Sequence, residues 1–382
     1  MIYLDHNAST PVRAEVAEAI QACLTDLHGN ASSLHREGQR ARAAVEKARD
    51  QVAALVHARG SEVVFVSGGT EGDHLALVGG AWALASRGRR VAISAIEHHA
   101  IHGAGEVLQE HGFAVEHLPV DANGVLDRSA LDRLPADTAL VALMLANNET
   151  GALQPVAEAA AWAHRRGARL VCDAVQACGK VSVDAEALDV DYLVISGHKI
   201  GGVKGAGALV VRRGAPLSPL FRGSGHEGGR RGGTENVPGI VGLGVAAELA
   251  ARDLEQESTR LSGLRDRLEA AILAADRNAV FHSRGAARLP NTVNASFPGA
   301  RSDSLLMALD AKGVAVSAGA ACASGAVEPS PVLNAMGVPR ELAVCAIRFS
   351  LGRTTTAGEI DQVSAVLPEA LRAARAATPV IA

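Results

Sequence analysis

Short runs of apolar and β-branched residues alternate with longer helix-like segments through the first half of the chain. Strands buried on both faces of a parallel sheet consist of such continuous apolar runs, and the helices between them cover the sheet. Helix-like segments separate the first four runs. The predicted strands are EVVFV (62–66), RVAISA (90–95), TALVALM (138–144), ARLVCD (168–173), DYLVIS (191–196) and GALVV (207–211). The alternation therefore predicts an α/β fold with a mainly parallel sheet.

The last third of the chain has a different order of elements. A long helix is expected over 239–275, with Arg252 as the candidate position of a break. The elements expected after it are a strand (291–297), a helix (302–313), a strand (346–350) and a terminal helix (357–376). This order predicts a smaller α+β domain. We expect a large domain at 13–255, and a small domain made of 1–12 and 256–382 that carries a catalytic cysteine loop.

Composition narrows the classes of function. A chain of 382 residues with 48% hydrophobic content can bury a sizeable core. Its net charge of −4, without a basic face, indicates binding to neither nucleic acid nor an anionic membrane. No apolar run approaches membrane-spanning length, and Asp5 interrupts the N-terminal stretch where a signal peptide would be apolar. We therefore expect a cytoplasmic protein that acts on a small molecule.

Polar and glycine residues cluster at the ends of the predicted strands. Ligands of open parallel sheets bind at the carboxyl ends of the strands, where the loops converge. The residues found there are Gly69, Thr70, His98, Asn148, Asp173, Gln176, Ser196, His198 and Lys199. Taken singly, each is explained by a glycine turn, a helix N-cap or a hydrogen-bonded core histidine. Taken together, they predict a binding site.

Nucleotide and metal sites have weak support in the sequence. The segment GHKIGGVKG (197–205) lacks the Gly-Lys-Ser/Thr ending of a P-loop, and no GxGxxG motif follows the first strand. His98 and His102 are four residues apart and could share a helix face, but an HExxH motif and a nearby third ligand are missing. We expect no resident metal.

Pyridoxal 5′-phosphate fits the cluster at the strand ends better. This cofactor needs a lysine that attaches it covalently, a carboxylate that keeps its pyridine nitrogen protonated, a flat side chain against its ring and a phosphate cup. Lys199, Asp173 and His98 would meet the first three needs. Backbone N–H groups at a helix N-terminus bind phosphate. The residues expected to form the cup are Gly69, Thr70, Ser196 and His198.

Nine motifs, in register through almost the whole chain, resemble the cysteine desulfurases of the NifS/IscS type. They are YLDHNASTP (3–11), SGGTEGDHLAL (67–77), AIEHHA (95–100), ANNETG (146–151), DAVQACGK (173–180), SGHK (196–199), RRGGTENV (230–237), SAGAACASG (317–325) and IRFSLGR (347–353). The resemblance implies a homodimeric pyridoxal-phosphate enzyme of fold type I, whose large domain contains a mainly parallel seven-stranded sheet. Such an enzyme converts L-cysteine to L-alanine and leaves the sulfur as a persulfide on one of its own cysteines.

The resemblance also implies roles for single residues. Lys199 would attach the cofactor and act as base, His98 would stack on the ring and assist proton transfer, and Cys322 would take the sulfur. Asn148 and Arg348 would hold cofactor and substrate. The further cofactor contacts implied are Gly69, Thr70, Asp173, Gln176, Ser196, His198 and, from the other subunit, Thr234.

The five cysteines have no paired spacing, which argues against a disulfide framework and against a zinc knuckle. The cysteines expected to be buried packing residues are Cys23, Cys172, Cys178 and Cys345. Cys322 lies in a segment of small residues and glycines, as expected of an accessible nucleophile.

Several alternatives stay open. A selenocysteine lyase or an aminotransferase would share the cofactor site, although an aminotransferase has no need of Cys322. A catalytically inactive sulfur-transfer or assembly subunit fits less well, because Lys199, Asp173 and Cys322 are all present. Arg348 could simply pair with an acidic neighbour. The sulfur acceptor is also open, among iron–sulfur cluster assembly, transfer-RNA thiolation, DNA phosphorothioation and a cofactor pathway, and so is a role of Cys322 as a transient cluster ligand.

The chain departs from the family pattern at several positions. His6 stands where an asparagine is usual, Val203 where a proline is common and His226 where a glutamine is customary. Alanines precede Cys322 where serines are frequent. None of these changes removes a group that the chemistry needs, but they leave the branch of the family undetermined.

Overall fold

The computed structural model describes residues 1–319 and 328–377. Its strands are β1 (Ile2–Tyr3), β2 (Val63–Val66), β3 (Arg90–Ser94), β4 (Ala114–Leu118), β5 (Thr138–Ala142), β6 (Arg169–Asp173), β7 (Tyr192–Ser196), β8 (Gly207–Val211), β9 (Val280–Phe281), β10 (Thr292–Ser296), β11 (Val314–Ala315) and β12 (Ala346–Ser350). Its helices are α1 (Ala14–Asp26), α2 (Arg36–Leu55), α3 (Gly69–His74), α4 (Gly80–Ala83), α5 (His99–Glu110), α6 (Arg128–Asp132), α7 (Val156–Arg165), α8 (Val237–Ala275), α9 (Ser302–Asp310), α10 (Pro331–Ala335), α11 (Arg340–Ala343) and α12 (Ala357–Ala377). A π-helical segment, Leu75–Gly79, joins α3 to α4.

A seven-stranded sheet in the order β2-β8-β7-β6-β5-β3-β4 forms the centre of the molecule. Strand β8 is antiparallel to both of its neighbours, and the other pairs are parallel. The predicted mainly parallel sheet is therefore confirmed. Strand β4 lies at one edge and was not among the predicted strands, because its sequence AVEHL is largely solvent-facing and lacks a continuous apolar run.

The two faces of this sheet pack against different helices. Because side chains alternate along a strand, Leu193 and Ile195 of β7 enter one apolar core while Tyr192 and Val194 enter the other. Helices α1, α2, α6, α7 and α8 cover the first core, and the π-helical segment with α4 and α5 covers the second. The following residue, Ser196, therefore emerges at the carboxyl edge of a rigid, fully buried strand.

Helix α8 runs without interruption from Val237 to Ala275, so the predicted break at Arg252 is wrong. No glycine or proline lies between Gly244 and Gly263, and Arg252 is an exposed helix former paired with Asp253. The first half of α8, up to Ala250, packs in the core of the large sheet, and its second half packs in a separate core.

That separate core has the expected α+β composition. It lies between an antiparallel sheet of order β12-β10-β9, the pair β1–β11, and helices α9 and α12. The N-terminal segment passes from this core towards the large sheet, since Asp5 bridges to Ser350 while the Thr10 hydroxyl donates to the His198 carbonyl oxygen at 2.8 Å. Residues 5–10 thereby line the boundary at which the strand ends of the large sheet meet the second core.

Candidate active site

A cavity of about 220 Å³ lies at the carboxyl ends of the parallel strands. The predicted site residues that line it are Gly69, Thr70, His98, Asn148, Asp173, Gln176, Ser196, His198 and Lys199. Asp73, Met144 and Val175 complete the wall. The structure therefore brings together residues that are far apart in the sequence, as expected for the convergent edge of a parallel sheet.

Lys199 ends a single 3₁₀ turn directly after β7. Its Nζ donates to the main-chain oxygens of Asn7 at 2.5 Å and Ala8 at 2.8 Å. Burial lowers the pKa of Lys199 to about 8, assisted by the nearby Arg348 charge and opposed by Asp173 and Asp5. An amine with this pKa is a nucleophile and a base close to neutral pH.

Asp173 is the last residue of β6, and 6% of it is exposed. Burial raises its pKa to about 6, against the opposing effects of the Val175 N–H and the Lys199 charge. The Val175 N–H donates to Oδ1 at 2.8 Å. Two further buried acids, Asp73 and Glu97, have pKa values well above the ordinary range. Burial is the main cause, and the negative charge of Asp173 raises both pKa values further. A cationic ring N–H beside Asp173 would favour its charged form.

His98 caps the N-terminus of α5, where its Nδ1 accepts from the Ala100 N–H at 3.1 Å. This bond leaves the ring proton on Nε2. Burial lowers the pKa of His98 to about 4, with Lys199 the next cause. The side chain is therefore a neutral flat ring at physiological pH, which suits it for stacking on an aromatic ligand.

The predicted phosphate cup occupies the turn between β2 and α3 and the end of β7. Strand β8 packs closely against this turn at Gly207. A Cβ at that position would lie 2.8 Å from the Cα of Gly68, so only glycine allows the approach. Ser196 is buried, Thr70 is exposed, and the His198 ring reaches Ser9 Oγ at 3.3 Å. Backbone N–H groups and short hydroxyls at the start of a helical run are the donors that a phosphate group needs.

A second cavity, of about 560 Å³, shares His98 and Asn148 with the first and is also lined by Arg348. Arg348 is 7% exposed; its Nη2 donates to Asp5 Oδ1 at 2.7 Å and its Nη1 to the Asn148 carbonyl oxygen at 3.1 Å. The sequence left open that Arg348 pairs with an acidic neighbour, and Asp5 is such a neighbour. Arg348 Nε is buried and has no hydrogen-bond partner among the described residues. Such an orphaned donor fits a ligand carboxylate.

Two predicted site residues do not line these cavities. Thr234 is exposed in the single chain, so its predicted contact with the cofactor of the other subunit stays a prediction. Cys322 lies outside the described residues. The four other cysteines, Cys23, Cys172, Cys178 and Cys345, are buried and form no disulfide with any described residue.

The residues present fit pyridoxal 5′-phosphate. Lys199 can attach it, Asp173 can pair with the protonated ring nitrogen, and the neutral His98 ring can cover one face. Gln176 lines the same cavity and is fixed by its neighbours, since its Nε2 donates to the Asn7 carbonyl oxygen at 2.9 Å. Among residues 1–319 and 328–377, no group of three or more His, Cys, Asp or Glu side chains is arranged to hold a metal ion.

Sequence reasoning missed several residues that organise the site. Asn7 connects its parts, because its carbonyl oxygen accepts from Lys199 and Gln176 while its Nδ2 donates to the Asn148 carbonyl oxygen at 3.1 Å. Glu149 and Lys180 are also buried. All three residues lie inside recognised motifs, so motif membership was the available signal.

In the part of the chain that the structure describes, no helix is both long and apolar enough to cross a bilayer.

Comparison with known proteins agrees with the geometry. A model of the family "Aminotransferase class-V" matches residues 2–363. A cysteine desulfurase from Trichormus azollae is 45% identical over 380 residues, which cover 99% of this chain and 95% of that protein. The cysteine desulfurase IscS of Dictyoglomus turgidum is 40% identical over 379 residues, which cover 99% of this chain and 96% of that protein.

A solved structure described as a NifS-like protein superposes with a TM-score of 0.91 at 36% identity, covering 97% of this chain and 99% of that one. The expected fold and the resemblance to proteins of the NifS/IscS type are thereby confirmed. The chain belongs to the aminotransferase class-V family.

Proposed function

We propose that this protein is a pyridoxal-phosphate-dependent cysteine desulfurase. It converts L-cysteine to L-alanine and transfers the sulfur to Cys322 as a persulfide, for delivery to an acceptor such as an iron–sulfur cluster assembly or thiolation protein. The names of its relatives, cysteine desulfurase and IscS, support this reaction.

One observation carries the proposal: a single cavity brings Lys199, with a pKa of about 8, together with the buried carboxyl group of Asp173 and the neutral ring of His98. Lys199 Nζ donates to two carbonyl oxygens, those of Asn7 and Ala8, and Lys199 lines a ligand-sized cavity. This arrangement supplies attachment, charge and stacking at once.

The bound cofactor supplies an electron sink for the carbanion that forms at the substrate Cα. Arg348 and Asn148 bind the carboxylate of the substrate and orient its Cα towards Lys199. Lys199 Nζ then takes the proton from Cα and can return a proton to the product carbon. Asp173 stays ionised against the ring nitrogen, and His98 holds the ring and can assist proton transfer through Nε2.

Sulfur transfer needs a nucleophile outside the cofactor site, and we propose the Cys322 thiolate for it. An S–S bond forms between Cys322 and the substrate sulfur while the C–S bond breaks, and the electron pair of that bond stays on carbon. Protonation of this carbon completes alanine. One L-cysteine and one enzyme thiol thus give one L-alanine and one enzyme persulfide, and no external oxidant is consumed.

The proposal includes a domain division and an assembly. A large domain at 13–255, with a small domain of 1–12 and 256–382, agrees with the change of core along α8 between Ala250 and Leu261. A homodimer would let the exposed Thr234 reach the cofactor phosphate of the other subunit. A cytoplasmic location is supported by the four unpaired cysteines among the described residues.

The purified protein should be yellow, and it should produce alanine from L-cysteine. Lys199→Ala should remain folded, since Lys199 belongs to neither apolar core, but should lose both the covalent attachment of the cofactor and turnover. Lys204→Ala is the matched control, because Lys204 is exposed and lies outside the cavity. Normal alanine production by Lys199→Ala would disprove the cofactor assignment.

A further inference from the structure

Lys180 lies behind the proposed cofactor site. A third cavity, of about 90 Å³, is lined by Lys180 and His6 and shares Lys199 with the cofactor cavity. The Lys180 side chain is buried, with 6% of the residue exposed. Its Nζ donates to the carbonyl oxygen of Gln176 at 2.9 Å and to Gln176 Oε1 at 3.0 Å. Lys180 is thus hydrogen-bonded to Gln176, a residue that lines the cofactor cavity.

These contacts determine which end of the Gln176 amide faces which way. A lysine amine bonded at this distance donates to oxygen, and the Asn7 carbonyl oxygen can only accept, here from Gln176 Nε2 at 2.9 Å. Rotating the amide by half a turn would place Gln176 Oε1 against the Asn7 carbonyl oxygen, two acceptors with no proton between them, and would remove the Oε1 acceptor from Lys180. The two partners therefore fix the orientation of the amide, and the second N–H of Nε2 is left for a ligand.

A buried lysine is costly unless its hydrogen bonds repay the desolvation. Burial, together with the charges of Lys199 and Arg348, lowers the pKa of Lys180 to about 7. A neutral amine has two N–H groups, and within the described residues Lys180 has two acceptors, both on Gln176. A methionine would fill the same volume without the desolvation cost. The Lys180 amine is thus hydrogen-bonded to two oxygens of Gln176 rather than ion-paired with a carboxylate.

We propose that Lys180 is a positioning residue that orients the Gln176 amide, so that its N–H donates to an acceptor oxygen on the bound cofactor ring. This inference rests on the proposed function for the identity of the ligand. The orientation itself rests on Asn7, Gln176 and Lys180 alone.

The test compares Lys180→Met, Gln176→Ala and the double variant as holoenzymes. In Lys180→Met the Gln176 amide should lose its hydrogen bond to the cofactor ring. Loss of that one buried bond should weaken pyridoxal phosphate binding by about tenfold. The pH midpoint at which the absorbance of the bound cofactor changes should shift in the same direction as in Gln176→Ala. Because Lys180 acts through Gln176, the double variant should match Gln176→Ala in both quantities. Lys47→Met, at an exposed helical position, is the charge-matched control.

A folded Lys180→Met with unchanged cofactor binding and an unchanged midpoint would overturn the proposal. Additive effects in the double variant would also overturn it, because Lys180 would then act independently of Gln176. Should Lys180→Met fail to fold, Lys180→Gln replaces it; its N–H group is one bond shorter in reach, so the same shifts are expected and their absence counts against the proposal.

A readout without cofactor separates this inference from the proposed function. In the apo protein, the side-chain amide signal of Gln176 in a ¹⁵N NMR spectrum should show slow hydrogen exchange, and Lys180→Met should accelerate that exchange. If wild-type protein binds no pyridoxal phosphate, the proposed function fails whatever the NMR result. If exchange in Lys180→Met is unchanged, the positioning role fails even though the enzyme is active.

Discussion

Replacement of Arg348 by lysine tests how the substrate carboxylate is recognised. The guanidinium has five N–H donors, of which Asp5 and the Asn148 carbonyl oxygen engage two, and the buried Nε is without a partner among the described residues. A lysine keeps the positive charge but has no planar fork. Arg348→Lys should therefore retain its ion pair with Asp5 and lose the hydrogen bond that Nε would donate to the substrate carboxylate.

The size of the effect follows from the lost contact. A hydrogen bond to a charged group contributes about 1.5–3 kcal/mol, which corresponds to roughly 10- to 150-fold in binding. We expect the KM for L-cysteine to rise by that factor in Arg348→Lys. Cysteamine, which lacks the carboxylate, should bind wild type and variant equally, and the absorbance of the bound cofactor should be unchanged. A KM for L-cysteine within twofold of wild type would refute this role of Arg348.

The remaining predictions concern other residues of the site and its surroundings. Asp173→Asn should bind the cofactor and stay yellow but lose about a hundredfold in rate, the order expected when a buried charge interaction is removed; an unchanged rate would mean that another group controls the ring nitrogen. Burial raises the pKa of Glu149 to about 7, above the ordinary value of 4.5, so the folded state retains a proton that the unfolded state has lost between these values. The free energy of unfolding, measured with denaturant, should therefore fall as the pH rises through this window, by up to about 1.4 kcal/mol per pH unit relative to Glu149→Gln. Parallel pH profiles of stability for wild type and Glu149→Gln would contradict this prediction. A Cβ on Gly352 would overlap the His6 ring, so Gly352→Ala should lose about 1–3 kcal/mol of stability, and His6→Ala should restore part of it; Gly263→Ala, with open space around its Cβ, serves as the control and should not be destabilised.

Much of the fold could be predicted because it depends on local patterns. The strands β5, β6 and β7 are continuous apolar runs buried on both faces, and such runs are legible in a single sequence. Edge strand β4 was missed because exposure on both sides removes that signal. The break expected at Arg252 was wrong because one uninterrupted helix packs in two cores, the first up to Ala250 and the second from Leu261.

The chemistry-bearing residues of the site were also predictable, since strand ends and motifs mark them. The supporting contacts were not. Asn7 is 192 residues away from Lys199 in sequence, and its contribution is a main-chain oxygen, which carries no trace in residue identity. Lys180 differs, because its partner Gln176 is only four residues earlier; the turns after β6 that bring the two together have no helix or strand periodicity. The contacts of Asn7 follow from tertiary packing, which no local pattern encodes.

The fate of the substrate sulfur tests the central claim most directly. Wild-type protein and Cys322→Ser should be treated with L-cysteine and digested, the sulfur-bearing peptide identified by mass spectrometry and the alanine quantified. The proposed chemistry predicts one dithiothreitol-removable sulfur on the Cys322 peptide of the wild type, with one alanine formed for each sulfur. Cys322→Ser should stay yellow and form neither. Extra sulfur on the buried Cys178 instead, or alanine from Cys322→Ser at the wild-type rate, would contradict it.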